Sequence, residues 1–310
     1  MPTTLEDPPI YLPFLAKAKP PAMGLKPLSV SEWIQIDKEF APQLKRKEEL
    51  LASRYEDVFV SLPDSQPAQQ EVLELTCEHL LQHFSTIYQL QGSSIYNTKT
   101  NQSWNFSDFE PNPLDLAARL IQEDLSLMMP GEQGYYLAAA SVCFPQRWNL
   151  REKLGLPMTR IHQAVPDYGK KLAQPVDSVF DRLKEDYPGL RFNWSVLNSS
   201  ELYLQSGKHK SQINPDITTE NAGEKLWLRV ERQTIRRMPT SRGVLFTIRT
   251  YRYPLAQIAE MPGVAAGLIE AIQKLPVAMQ KYKSLLTFRS ALLGYLETCV
   301  QHATVPNPYR

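Results

Sequence analysis

Of the five histidines in the chain, His162 has the most constrained surroundings. Pro157 and Pro166 bracket it and restrict the backbone on either side. The stretch that holds it opens on an apolar run, Leu137-Ala138-Ala139-Ala140-Ser141-Val142. It continues through Cys143-Phe144-Pro145-Gln146-Arg147-Trp148 and Lys153-Leu154-Gly155. A neutral imidazole on a rigid loop can donate an electron pair to iron, and one such ligand is enough for haem. A lone histidine among apolar residues is also a common satisfied core residue, and the residues alone leave both readings open. Haem needs in addition an apolar slot and cations for two propionates. The Phe192/Trp194 and Phe246/Ile248 faces are candidates for the slot, and Arg191, Arg232 and Lys153 for the cations. Arg232 continues the apolar face of an alternating strand, where a guanidinium is unfavourable unless an anion meets it.

The other chemistry-bearing residues offer less. Cys143 is a rival ligand, since thiolate-ligated haem also activates oxygen, but it ends a very apolar strand where a thiol is usually inert packing. His79 and His83 are spaced to share a helix face, with Cys77 off that face. A zinc site needs three or four ligands, so two ordinary boundary histidines are the simpler reading. His209 lies between Lys208 and Lys210 in a polar loop, and His302 lies near a helix end. The chain has no GxSxG elbow, phosphate loop, HExxH or GxGxxG.

Several elements have to position these residues. Residues 1–27 are proline-rich and predict an extended arm; Leu28 to Trp33 predicts a helix start capped by Ser29 or Ser31. Helical patterns cover about Lys45–Ala52, Gln66–Leu90 and Pro113–Met129, with a short strand around Ser94-Ile95-Tyr96 between the last two. Leu137–Phe144 is apolar on both faces and predicts a central strand. Val176–Leu183 predicts a short helix, and Arg191–Val196 a strand with Phe192, Trp194 and Val196 on one face. Ser206–Glu224 predicts an exposed loop. Leu226–Thr234 and Val244–Tyr251 predict a hairpin that faces Leu226, Leu228 and Val230 inward with Val244, Phe246 and Ile248. Ile258–His302 is helical, with breaks near Pro262-Gly263 and Pro276. Helices, then a mainly antiparallel sheet, then helices make an α+β fold, read as one domain over 1–310.

The composition agrees with that class. Of 310 residues 43% are hydrophobic and 22% charged, which marks a globular chain and not a disordered one. A net charge of +1 argues against a dedicated nucleic-acid surface, and Glu48 and Glu49 neutralise the local cluster Lys45-Arg46-Lys47. No apolar run approaches the about 20 residues of a membrane span. Three unpaired cysteines and an amino terminus unlike a signal peptide lead to the expectation of a cytoplasmic protein.

The order of motifs resembles one family. The motifs are Met23-Gly24-Leu25, Trp33-Ile34-x-Ile36-Asp37, Gln122-Glu123-Asp124-Leu125, Val142-Cys143-Phe144-Pro145 with Trp148, and Lys153-Leu154-Gly155. After them come Ile161-His162-x-x-Val165-Pro166, Arg191-x-Asn193-Trp194, Val230-Glu231-Arg232-Gln233-Thr234 and Phe246-Thr247-Ile248-Arg249-Thr250-Tyr251. Together they are similar to the haem-dependent oxidative N-demethylases, over nearly the whole chain. The resemblance implies a PAS-like haem-binding sheet and b-type haem on a histidine. It implies oxidative removal of a methyl group, as formaldehyde, from a small secondary amine such as dimethylamine. It also implies O2 as oxidant and electrons from NADPH through a separate reductase carrying FMN and a 2Fe-2S cluster.

Carried onto this chain, the iron ligand is His162, with Lys153, Arg191, Asn193 and Arg232 as cofactor-binding residues. An alkylammonium substrate requires a carboxylate or an aromatic face near the iron, for which Glu231 and Tyr251 are the candidates. Glu231 has a plainer alternative as a partner of Arg229 or Arg249. The rival function on the same fold is a haem sensor or carrier without turnover.

Overall fold

A computed structural model describes residues 5–16, 24–166, 173–204 and 213–304. Its two longest strands, β9 (Trp227–Arg237) and β10 (Val244–Pro254), pair antiparallel along their whole length. Around them a seven-stranded sheet forms in the order β1-β8-β9-β10-β6-β7-β2. The others are β1 (Lys26–Pro27), β2 (Phe59–Ser61), β6 (Asp124–Met129), β7 (Tyr136–Ser141) and β8 (Gly189–Leu197). Every pairing in it is antiparallel. A separate three-stranded meander joins β3 (Tyr88–Gln91), β4 (Ser94–Asn97) and β5 (Gln102–Asn105). With helices before and after the large sheet, the fold is α+β, as the order of sequence patterns predicts.

The hairpin register decides which side chains meet. Residues 238–243 connect the strands, so Arg237 pairs with Val244 and odd residues on β9 share a face with even residues on β10. Leu228 and Val230 therefore stand beside Tyr253 and Tyr251. Val244, Phe246 and Ile248 stand beside Arg237, Ile235 and Gln233. This reverses the expectation that Phe246 and Ile248 share a face with Val230. An alternating pattern gives each strand two faces but does not say which faces match across the turn. Glu71 fixes the turn, accepting the backbone N–H groups of Thr240 and Ser241, the latter at 2.8 Å.

Each face of the sheet is covered by different material. On one, Leu228, Val230, Tyr251 and Tyr253 pack under the carboxy-terminal helices Val264–Lys274 and Arg289–Thr304. Leu125, Leu127 and Leu245 pack with the helices Phe40–Ser53, Gln66–His83 and Pro113–Leu120. On the other face, Met128, Leu137, Ile235, Val244 and Phe246 meet Trp148, Met158, Ile161, Val165 and Phe180. These last residues come from the connection after β7 and from the helix Ala173–Arg182.

Three segments depart from the sequence reading. The pattern 113–129 is a helix only to Leu120. Asp124–Met129 is a strand between β10 and β7, because Leu125 and Leu127 alternate around Ser126 and pairing on both edges overrides helical propensity. The helix from Gln66 ends at His83, and Tyr88–Gln91 joins the meander. The expected helix near Trp33 is a single tight turn, Val30–Glu32, whose Ser29 hydroxyl accepts the Ser31 N–H. β7 lies one strand from the edge and is flanked there only by three-residue β2. Of the expected loop 206–224, residues 206–212, with His209, lie outside the described residues.

Candidate functional site

The connection from β7 to His162 is anchored at both ends. At its start, buried Asp124 accepts the backbone N–H groups of Cys143 at 2.8 Å and Phe144 at 2.9 Å. Arg229 donates to the carbonyls of Phe144 and Leu202 and to the Thr250 hydroxyl. Gln146 accepts from the Ser195 hydroxyl on β8 at 3.2 Å. The loop is thereby laid across the β8–β9–β10 face.

Further on, Leu137 N–H donates to Leu156 O at 3.1 Å and Gly155 N–H to Leu137 O at 2.9 Å, while Met158 N–H reaches Tyr135 O. Gly155 has φ +72°, a left-handed turn that glycine adopts without a Cβ penalty. Pro157 then starts a one-turn helix, Met158–Ile161, and His162 ends it.

His162 Nδ1 lies 3.0 Å from the carbonyl oxygen of Met158. A carbonyl can only accept, so Nδ1 carries the hydrogen and Nε2 carries the lone pair, which is the tautomer of a metal-ligating histidine. Burial pushes the imidazole below its ordinary pKa. The Met158 bond opposes that shift, and the positive charges of Arg191 and Lys153 add to it. The ring is therefore neutral at pH 7.

Arg191 leads a polar row on β8. Arg191, Asn193 and Ser195 stand beside Gln233, Glu231 and Arg229 of β9, on the His162 face. Glu231 Oε2 accepts from Gln233 Nε2 at 2.9 Å and from Asn193 Nδ2 at 3.2 Å. Its Oε1 lies 3.6 Å from Arg229 Nε, so the Arg229 partnership runs along one strand. Arg249 is on the opposite face and pairs with Asp37.

The structure thus gathers His162, Lys153, Arg191, Asn193 and Glu231 on one face, beside the apolar group of Met128, Trp148, Ile161, Val165 and Phe246. It places Arg232 and Tyr251 on the other. Arg232 donates to the carbonyls of Glu32 and Trp33, which answer the desolvation that the sequence reading left for an anion. Tyr251 donates to Gln35 Oε1 at 2.6 Å under the Arg249 guanidinium, and burial drives its hydroxyl far above the ordinary phenol range. Phe192 and Trp194 also face away from His162 and pack against Tyr11 and Phe14 of the amino-terminal arm.

One participant escaped the sequence reading. Lys283, which follows the helix Val277–Tyr282, places Nζ 3.0 Å from Asn193 Oδ1 and also donates to the Trp194 carbonyl. No local pattern marks a lysine at the end of a helix for this role; the contact spans 90 residues.

The rival ligands fare poorly. Burial pushes the Cys143 thiol up to about 12, with the Asp124 carboxylate among the lesser causes, so a thiolate is disfavoured there. His79, close against His83, is driven by burial to about 4, and burial lifts the Cys77 thiol to about 12. Among the described residues no three His, Cys, Asp or Glu side chains converge on a metal-ion position. A single imidazole suits a porphyrin, which brings four nitrogen donors of its own. In chemistry, neutral His162 with two cations and an apolar group beside it matches what haem requires of its protein.

Fold and side chains together describe an α+β protein in which His162 and a polar row of β8 and β9 lie on one face of an antiparallel sheet. The family model described as haem-dependent oxidative N-demethylase, alpha subunit-like, matches residues 24–293. The chain belongs to this family. Among the described residues, no helix is long and apolar enough to cross a membrane.

Proposed function

We propose that this protein is the haem-bearing subunit of an oxidative N-demethylase that acts on a small secondary amine of the dimethylamine kind. The observation that carries the reading is His162, held through Nδ1 on Met158 O so that Nε2 is the coordinating atom. In this proposal Arg191 and Lys153 meet the propionates, and the Met128/Trp148/Ile161/Phe246 group forms the apolar wall. When bound, haem b supplies the activation of O2 that places one oxygen atom on a methyl carbon of the amine.

The remaining work falls to the side chains. Glu231, steadied by Asn193 and Gln233, accepts an N–H of the protonated amine and orients its methyl group. Asn193 keeps that carboxylate in one rotamer. The apolar wall excludes water, which strengthens the ammonium–carboxylate attraction. The overall change consumes O2, two electrons and two protons and yields water and a carbinolamine, which releases formaldehyde and the demethylated amine. The family description as an alpha subunit supports a partner subunit, and the electrons come from an NADPH-linked reductase with FMN and a 2Fe-2S cluster.

Haem-loaded protein supplied with such a reductase, NADPH and dimethylamine is expected to release one formaldehyde for each amine consumed. NADPH oxidation that never yields formaldehyde with any small secondary amine contradicts the proposal and favours a haem sensor or carrier.

A further inference from the structure

Lys283 approaches the polar row from outside the sheet. Among the described residues, β1 pairs with β8 only at Gly189 and Leu190 and does not reach Asn193 or Trp194. There Lys283 donates to the Trp194 carbonyl and, at 3.0 Å, to Asn193 Oδ1, with Nζ 5.5 Å from the Trp194 ring centroid. The same Asn193 amide gives its Nδ2 hydrogen to Glu231. Lysine and glutamate are therefore joined through one side-chain amide, while the cation paired directly with the carboxylate is Arg229 at 3.6 Å.

We propose that Lys283 is a specificity-determining residue of the amine subsite: its ammonium, anchored on Asn193 and Trp194 O, adds to Arg229 a second resident charge against which Glu231 must accept a substrate ammonium. This rests on Glu231 as the ammonium acceptor.

The groups facing Lys283 set the sign of the effect. Burial lowers its pKa from 10.5 to about 8; Glu231 on β9 opposes that shift and Arg191 on β8 adds to it. Arg229 stands behind Glu231 at 3.6 Å. Neighbouring Tyr282 keeps its proton, raised by burial and then by the Glu231 charge. Below about pH 8, a second cation entering beside Glu231 meets a charged Lys283. Above it, Lys283 is neutral, while an aliphatic ammonium keeps its proton to about pH 10. By reciprocity, a bound ammonium lowers the Lys283 pKa as much as loss of that proton tightens amine binding.

The test is calorimetric titration of haem-loaded protein with dimethylammonium chloride at about pH 6.5 and about pH 9, at constant ionic strength, on either side of the Lys283 midpoint. The wild type is expected to bind about tenfold more tightly at the higher pH. Lys283→Met is expected to bind tightly at both. Lys283→Arg, whose charge persists throughout, is expected to bind weakly at both, and it serves as the deciding variant if Lys283→Met does not fold. A wild-type pH dependence retained in either variant overturns the role of Lys283. A wild type that binds no amine, or a Glu231→Gln protein that binds it as well as the wild type, overturns the amine subsite itself and the Lys283 role with it.

Discussion

His162→Ala is expected to abolish N-demethylation and leave the protein folded. His162 ends a single helical turn, and its ring Nδ1 bonds the Met158 carbonyl of the turn that it terminates. Removing one such bond at a partly buried position costs about 1 kcal/mol. The turn itself stays pinned through Met158 N on Tyr135 O and through Leu137 N of β7 on Leu156 O, which the substitution does not touch. The functional cost is of another order. Loss of an outer partner of a ligand typically lowers metal affinity or activity about 10–100-fold, and loss of the proposed ligand itself is expected to exceed that. The checks are formaldehyde release with the reductase present and the melting temperature, read side by side. A near-wild-type rate in a well-folded alanine variant contradicts the assignment.

Arg249→Met is expected to have the opposite profile, with a severe loss of stability at a position remote from the chemistry. Arg249 is fully buried and donates to Asp37 Oδ2 at 2.7 Å and to Gln43. Asp37 and Gln43 are buried themselves and also accept from Gln122, so the guanidinium ties β10 to the amino-terminal segments through one connected polar group. Methionine preserves the volume and removes the charge, leaving the Asp37 carboxylate buried beside neutral partners. Breaking a buried pair from one side costs about 3–5 kcal/mol. For a chain of this size that corresponds to a fall of about 5–8 °C in melting temperature. A double variant, Arg249→Met with Asp37→Leu, is expected to recover much of the loss, because both charges then leave together. Thermal unfolding of the two variants checks both statements.

These contrasting residues show what the sequence made legible. The two prolines around His162 are local facts, and the order of motifs is a linear one, so the candidate ligand and the fold class could be read directly. Which faces of β9 and β10 match could not. That depends on the residues between Arg237 and Val244, and the parity of that turn puts Phe246 on the His162 face and Tyr251 on the other.

Arg232 was legible as a guanidinium in need of acceptors. Those acceptors are backbone carbonyls about 200 positions away in the chain, which no local pattern announces. Lys283 was illegible for a related reason: its meaning comes from Asn193 on a strand 90 residues earlier. The strand Asp124–Met129 was missed because a short apolar run carries no decisive period until its neighbours pair with it.

The most direct measurement is a haem titration followed by Soret absorption on the wild type and on His162→Gly, each with and without added imidazole. If Nε2 of His162 is the iron ligand, the wild type gives a saturable Soret band of a histidine-ligated haem, the glycine variant loses it, and free imidazole restores it in the glycine variant alone. An identical band in both proteins without imidazole would contradict the account.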